Sequence, residues 1–371
     1  MDFEFSEDQR AVADLAEAIF RDHGTDEHIG RIYAAVEPFD ASLWQSLAEA
    51  GFLAAIIPSE CGGSGLGMLD LSLLLERQGA SIASAPLWRH TIASLAIASF
   101  GDETLKQRLL PALCDGSAIA SISAEPNSWS SVSAVPCAAG WSMTGTVCTV
   151  TMNRRTDVLV LPARLPNNAI GMFVVRPTDP AIKIIHGVAT NYEAVADLTF
   201  DNFELTGDSL LNCKDPTNWL TPRAALAVAA LQLGVTSEAL KRTAAYVGER
   251  EQFGRAIGTF QAVAMRMADA YIQLELLRTA IWQLGWRLDQ GLPVEAAARV
   301  AKYQAGEAGH MIGHVAQHYH GGVGADTSYP IHRFFLWSKA LDLAGGGAEW
   351  QIEALAQKLP DQIGSDESLD S

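Results

Sequence analysis

Gly145-Thr146-Val147-Cys148-Thr149-Val150-Thr151 is dense in β-branched residues. Their stiff side chains suit a pleated strand better than a helix. Comparable short runs, alternating or β-branched, occur at residues 118–124, 141–143, 158–161, 171–175, 182–185 and 196–203, punctuated by Gly, Pro, Asn and Asp. Together they predict a small antiparallel β-domain. On either side the period changes. Upstream, Ser6 and Gln9 are spaced as a capping box, and Val12, Leu15 and Ile19 then recur at helical spacing. Residues 44–53 and 69–77 continue as helices, joined by Gly62-Gly63-Ser64-Gly65. No strand precedes those glycines and no Lys follows, so they read as a sharp interhelical loop rather than a phosphate cradle. Downstream, from Asn218, Ala- and Leu-rich stretches at 222–246, 260–290, 293–317 and 350–359 predict long helices. The expected domains are therefore 1–118 (helical), 119–212 (β) and 213–360 (helix bundle). Residues 361–371 form an acidic tail with too few apolar groups to order itself.

With 371 residues, nearly half of them apolar, the chain can bury a large core. A net charge of −17 argues against a nucleic-acid partner, which rewards clustered Lys and Arg. The five cysteines are scattered and form no CxxC pair, so neither a zinc site nor a disulfide framework is indicated. His310, His314, His318 and His320 lie close together, but no HExxH arrangement accompanies them. Packing or cofactor contact is the expectation for them, and no metal. Trp129, Trp219, Trp282, Trp286, Trp337 and Trp350 are assigned to cores. The start of the chain lacks the basic and apolar regions of a signal peptide, and no apolar run is long enough to span a bilayer. The expected location is cytoplasmic, with no membrane partner.

A series of short motifs narrows this reading. In order they are Glu49-Ala50-Gly51-Phe52-Leu53 with Pro58, Gly101-Asp102-Glu103-Thr104-Leu105-Lys106 with Leu110-Pro111, Glu125-Pro126, and Gly140-Trp141 with Thr144-Gly145. Arg250-Glu251-Gln252-Phe253-Gly254 and His320-Gly321-Gly322-Val323-Gly324 complete the set. In this order and spacing the chain resembles the acyl-CoA dehydrogenases over nearly its whole length. The resemblance implies an α+β, mainly α fold: an N-terminal helical domain, a middle antiparallel β-barrel domain and a C-terminal four-helix bundle. It also implies FAD, an acyl-CoA substrate undergoing α,β-desaturation, and an electron-transfer flavoprotein or similar acceptor. In this family each FAD is shared, its ring mainly in one subunit and its pyrophosphate and adenine gripped by the neighbour.

Sorted by that division, the residues lent to a neighbour are largely present. Arg250, Gln252, Phe253 and Gln261 match the segment that reaches the partner's cofactor, and Gly321 and Gly322 allow close backbone approach. His318 stands where relatives carry Gln, and can still hydrogen-bond. The chain's own half-site departs from the pattern. Glu125-Pro126 continues into Asn127-Ser128-Trp129 instead of Gly-Ser-Asp, Thr149 replaces the aromatic shield, and Thr151 alone keeps its polar group. Gly347 replaces a cofactor-touching Thr. The catalytic Glu is missing from both of its known places, which hold Gly345 and Ala224. No catalytic residue is therefore assigned. This pattern resembles the non-catalytic chain of heteromeric dehydrogenases of bacterial steroid degradation. It implies a homologous, Glu-bearing partner in an α2β2 complex and a bulky, steroid-derived thioester. Two alternatives stand beside it: a homomeric flavoenzyme using Glu349 as a displaced base, or a cofactor-free scaffold. Glu349 also reads as a carboxylate favoured by a helix N-terminus.

Overall fold

The computed structural model describes residues 5–125 and 128–357. The acidic tail and the Pro126-Asn127 step lie outside the described residues. The N-terminal part contains α1 (Glu7–His23), α2 (Asp26–Tyr33), α3 (Ala41–Glu49), α4 (Met68–Ser81), α5 (Leu87–Phe100) and α6 (Glu103–Cys114). The capping box forms as expected. Ser6 Oγ accepts from Gln9 N at 3.1 Å, and Gln9 Oε1 accepts from Ser6 N at 3.1 Å.

The middle part holds β1 (Ile119–Ile122), β2 (Val132–Cys137), β3 (Gly140–Thr151), β4 (Thr156–Arg164), β5 (Ile170–Val175), β6 (Lys183–Val188), β7 (Ala194–Thr206) and β8 (Leu210–Leu211). They form one sheet in the order β6-β7-β3-β2-β4-β5-β8, with β1 on β4. Most pairings are antiparallel, but β1 runs parallel to β4, and β2 touches β4 in parallel at Ser133 and Arg164. The sheet is thus mixed rather than purely antiparallel. The chain leaves β1, builds the β2–β3 hairpin, and only then returns in β4, and parallel pairing needs a long crossover of this kind. The runs expected at 141–143 and 147–151 are one strand, interrupted at Gly145 and at Thr149. Gly145 has φ +132°, and an added Cβ there would meet Ser131 O at 2.3 Å.

The C-terminal part comprises α7 (Pro216–Glu249), the hairpin β9 (Glu251–Gln252) and β10 (Arg255–Ala256), α8 (Gln261–Asp289), α9 (Glu295–His320), α10 (Ile331–Leu343) and α11 (Ala348–Ala356). Helix α9 packs on α7, α8 and α10, and α7 packs on α8 and α10, which makes the expected four-helix bundle. Helix α7 is long and apolar enough to cross a membrane, yet 78% of its apolar window is buried inside the protein. It is the core helix that joins the two helical parts. Where it crosses α4 the backbones touch: an added Cβ on Gly79 would meet Leu231 O at 2.1 Å, and one on Gly234 would meet Glu76 O at 2.0 Å. Only glycine allows that approach.

Of the tryptophans assigned to cores, Trp129 and Trp337 are buried, whereas Trp286 and Trp350 are exposed. Trp337 Nε1 donates to Tyr33 OH at 2.7 Å, and that hydroxyl donates to Ile82 O. The Tyr33 ring stacks on Tyr192 of the middle part at 4.4 Å. Tyr33→Phe removes both bonds and leaves a buried indole N–H unpaired. It is expected to cost about 2 kcal/mol, read by urea denaturation, with the fold unchanged.

Candidate functional site

Ala224 and Gly345 meet in space. A cavity of about 250 Å3 is lined by Ala224 and Val228 of α7, Glu295 and Lys302 of α9, Gly345, and Gln351 of α11. Trp88 and Arg89 of α5 and Glu125 after β1 close its other side. Ala224 and Gly345, far apart in sequence, therefore face one space. Gly345 has φ +70° and an added Cβ would meet nothing within 4 Å. There is room for a side chain, but the left-handed backbone disfavours one. Gln351 holds this turn, its Nε2 donating to Gly345 O at 2.9 Å and Gly346 O at 3.3 Å. Lys302 Nζ donates to Asp342 O at 2.7 Å, tying down the end of α10. Burial pulls its amine down to about 8, opposed by the Asp342 charge.

The Arg89–Glu125 pair was not legible as a site feature. Arg89 NH1 donates to Ile122 O and NH2 to Glu125 Oε1, each at 2.9 Å, and the guanidinium lies 4.3 Å over the Trp88 ring. Glu125 Oε2 also accepts from Ala124 N at 3.1 Å. Glu349 is exposed in the first turn of α11 and does not line the cavity, which suits a carboxylate at a helix N-terminus. Glu349→Gln is expected to leave the turnover of any active assembly unchanged within twofold, measured as acyl-CoA-dependent dye reduction.

The residues expected to serve a neighbour are exposed and do not line this cavity. Arg250 ends α7, its N–H donating to Tyr246 O at 2.8 Å while its side chain is exposed. The hairpin β9–β10 follows, with Gln252 opposite Arg255. Phe253 at its tip is 92% exposed and holds φ +55°. A phenylalanine in the left-handed region costs on the order of 1 kcal/mol, and here the reward is a ring held out in solvent. Gln261, the first residue of α8, is exposed, as is His318 on the last turn of α9. Gly321 and Gly322 are open, with nothing within 4 Å of an added Cβ. His320 differs from His318: it is buried and stacks on Tyr246 at 4.3 Å. Burial lowers its pKa. This stack joins the last turn of α7 to the last turn of α9, and so brings the hairpin and the Gly321-Gly322 turn to one end of the bundle. Beside them α8 exposes Met265, Tyr271, Ile272 and Leu276, an apolar stripe at helical spacing.

An exposed guanidinium, two exposed amides, an outward aromatic and an open glycine turn suit the phosphates and flat rings of a cofactor, although Gln252 Nε2 now donates to Glu251 O at 2.8 Å. Ala224 and Gly345 carry no group that can take a proton, while the carboxylates of Glu125 and Glu295 line the same cavity. Elsewhere in the chain Thr149 lies in the bulge of β3, where its N–H donates to Asp197 Oδ1 at 2.8 Å, and Thr151 pairs with Val195 of β7.

Comparison with known proteins agrees with this architecture. Residues 6–117 match the N-terminal domain of the acyl-CoA dehydrogenases, and residues 219–359 match their C-terminal domain. The acyl-CoA dehydrogenase FadE27 of Mycobacterium tuberculosis (strain ATCC 25618 / H37Rv) is 31% identical, over 97% of this chain and 99% of that protein. Among solved structures, a variant of the Tcur3481-Tcur3483 steroid ACAD shows a TM-score of 0.90 at 36% identity, over 96% of this chain and 99% of that one. The ChsE4-ChsE5 complex from Mycobacterium tuberculosis shows a TM-score of 0.92 at 32% identity, over 97% and 99%. The chain belongs to the acyl-CoA dehydrogenase family, oxidoreductases whose cofactor is FAD.

Proposed function

We propose that this chain is the non-catalytic subunit of a heteromeric acyl-CoA dehydrogenase, contacting FAD held mainly by a homologous partner. The observation that carries this reading is the convergence of Ala224 and Gly345 on one cavity whose Glu125 is bound to Arg89. Arg250, Gln252, Phe253, His318, Gly321 and Gly322 are meanwhile presented outward. FAD, when bound, would supply the hydride acceptor for α,β-desaturation, and a carboxylate of the partner would supply the base. This chain's part is position and polarity. Arg250 would hold the pyrophosphate through paired charge-assisted hydrogen bonds. Gln252, Gln261 and His318 supply further hydrogen bonds, Phe253 keeps water from the joint, and Gly321-Gly322 lets the backbone come close. The substrate is an acyl-CoA with a bulky, steroid-derived acyl group, a reading supported by the one steroid-enzyme structure similar at 36% identity. The assembly is α2β2 and cytoplasmic, and passes its electrons to an electron-transfer flavoprotein or similar acceptor.

The test is to purify the chain alone and with a homologue that carries the glutamate. The lone chain is expected to be colourless and inactive, and the pair yellow and active. A lone chain that is yellow and whose flavin is bleached by an acyl-CoA would overturn the proposal.

A further inference from the structure

We propose that His23, His28 and Asp40 form an open site for a divalent transition-metal ion of the zinc type. The three come from different helices: His23 ends α1, His28 lies in the first turns of α2, and Asp40 caps α3. One donor atom from each lies within 4.8 Å of the others. The carboxylate is fixed by its other oxygen: Asp40 Oδ1 accepts from Ser42 N at 3.1 Å, Leu43 N at 3.0 Å and Ser42 Oγ at 2.7 Å. Its Oδ2 is left to the imidazoles, 2.5 Å from His28 Nε2 and 3.7 Å from His23 Nδ1. Zinc binds such atoms at about 2.0–2.1 Å in a tetrahedron, which sets neighbouring donors roughly 3.3 Å apart. The two imidazole–carboxylate separations bracket that figure and the imidazole–imidazole one lies within 4.8 Å, so the rings must rotate to complete the geometry.

The surroundings suit an ion. His23 Nε2 lies 3.2 Å from Ser46 Oγ, which orients the ring in the way metal-bound histidines are oriented. The Asp40 side chain is 4% exposed and the two imidazoles about a fifth, leaving a fourth position open to water. Two imidazoles and a carboxylate select zinc-like ions over Mg2+ and Ca2+, which favour oxygen. Two contacts oppose binding: Ser42 Oγ lies 3.4 Å from His23 Nδ1, and Arg31 NH2 sits 3.4 Å from His28 Nδ1. With a metal on Nε2 the proton must move to Nδ1, so this exposed guanidinium must swing away. A bound ion would tie α1, α2 and α3 to the segment leading into Asp40. That segment already reaches the sheet, where Glu37 Oε1 accepts from Arg154 N at 2.6 Å.

The experiment is calorimetric titration of the untagged, chelator-treated full chain with Zn2+, followed by the visible spectrum with Co2+. One Zn2+ per chain and a tetrahedral Co2+ band are expected. Mg2+ should give no heat. His23→Ala and His28→Ala should each weaken Zn2+ binding at least ~10-fold, and Ser46→Ala about 10-fold. Arg31→Ala, on the surface, should tighten it. The exposed pair His310 and His314, whose rings lie 4.6 Å apart, is the competing location. Replacing both by alanine should leave the titration unchanged. No one-to-one binding, or binding lost with His310 and His314 instead, would overturn the site. So would an Arg31→Ala titration no tighter than the parent.

Discussion

Arg250→Ala in the reconstituted complex is expected to weaken FAD binding about a hundredfold while the complex still assembles. Arg250 makes its structural bonds through its backbone, N–H to Tyr246 O and carbonyl from Ile257 N, both at 2.8 Å. Its exposed guanidinium has no part in the bundle's core. Loss of a charged, paired hydrogen bond to a phosphate costs about 3 kcal/mol, or two orders of magnitude in affinity. Arg250→Lys keeps the charge but not the fork, and should recover only part of the loss. Flavin absorbance per complex after gel filtration, and FAD titration by fluorescence, measure the effect. Unchanged FAD content would favour a scaffold that never touches the cofactor.

Acidification is expected to destabilise the chain by about 3 kcal/mol through His90 alone. This histidine of α5 is fully buried, with Nδ1 accepting from Ala120 N at 3.0 Å and Nε2 against Leu113 O at 2.9 Å. Both bonds are satisfied only by the neutral ring carrying its proton on Nε2. Burial, which outweighs the bond to Leu113, holds its pKa down to about 4. The unfolded chain titrates near 6.5, so it takes up a proton first as the pH falls. The contribution is therefore full above about pH 6.5 and declines toward pH 4, where the loss is nearly complete. Urea denaturation at pH 8, 6 and 4.5 should show a steeper decline for the parent than for His90→Phe. Parallel declines would sink the assignment.

Local chemistry made much of this fold legible. The Ser6–Gln9 box, the helical blocks and most strands follow from contacts within a few residues. Strand β2 escaped because Ser133, Ala134 and Pro136 carry little strand signal. Helix α10 escaped although Ile331, Phe334, Trp337 and Leu341 repeat at helical spacing, because a proline and a motif-like run precede it. The candidate site was legible where motifs are local, as from Arg250 to Phe253. Its tertiary partners were not. Nothing in the sequence links Arg89 to Glu125, although a charge inside the otherwise apolar α5 hinted at a buried partner. His23, His28 and Asp40 share no regular spacing, so only folding brings them together.

The apolar stripe of Met265, Tyr271, Ile272 and Leu276, together with the projecting Phe253, bears on how much of this protein a cell can keep. Such a surface invites self-association and the attention of chaperones and proteases when left uncovered. A copy without a companion should be short-lived. Its steady-state abundance should then follow that of the companion chain, whatever the strength of its own promoter. Silencing one gene should deplete both proteins.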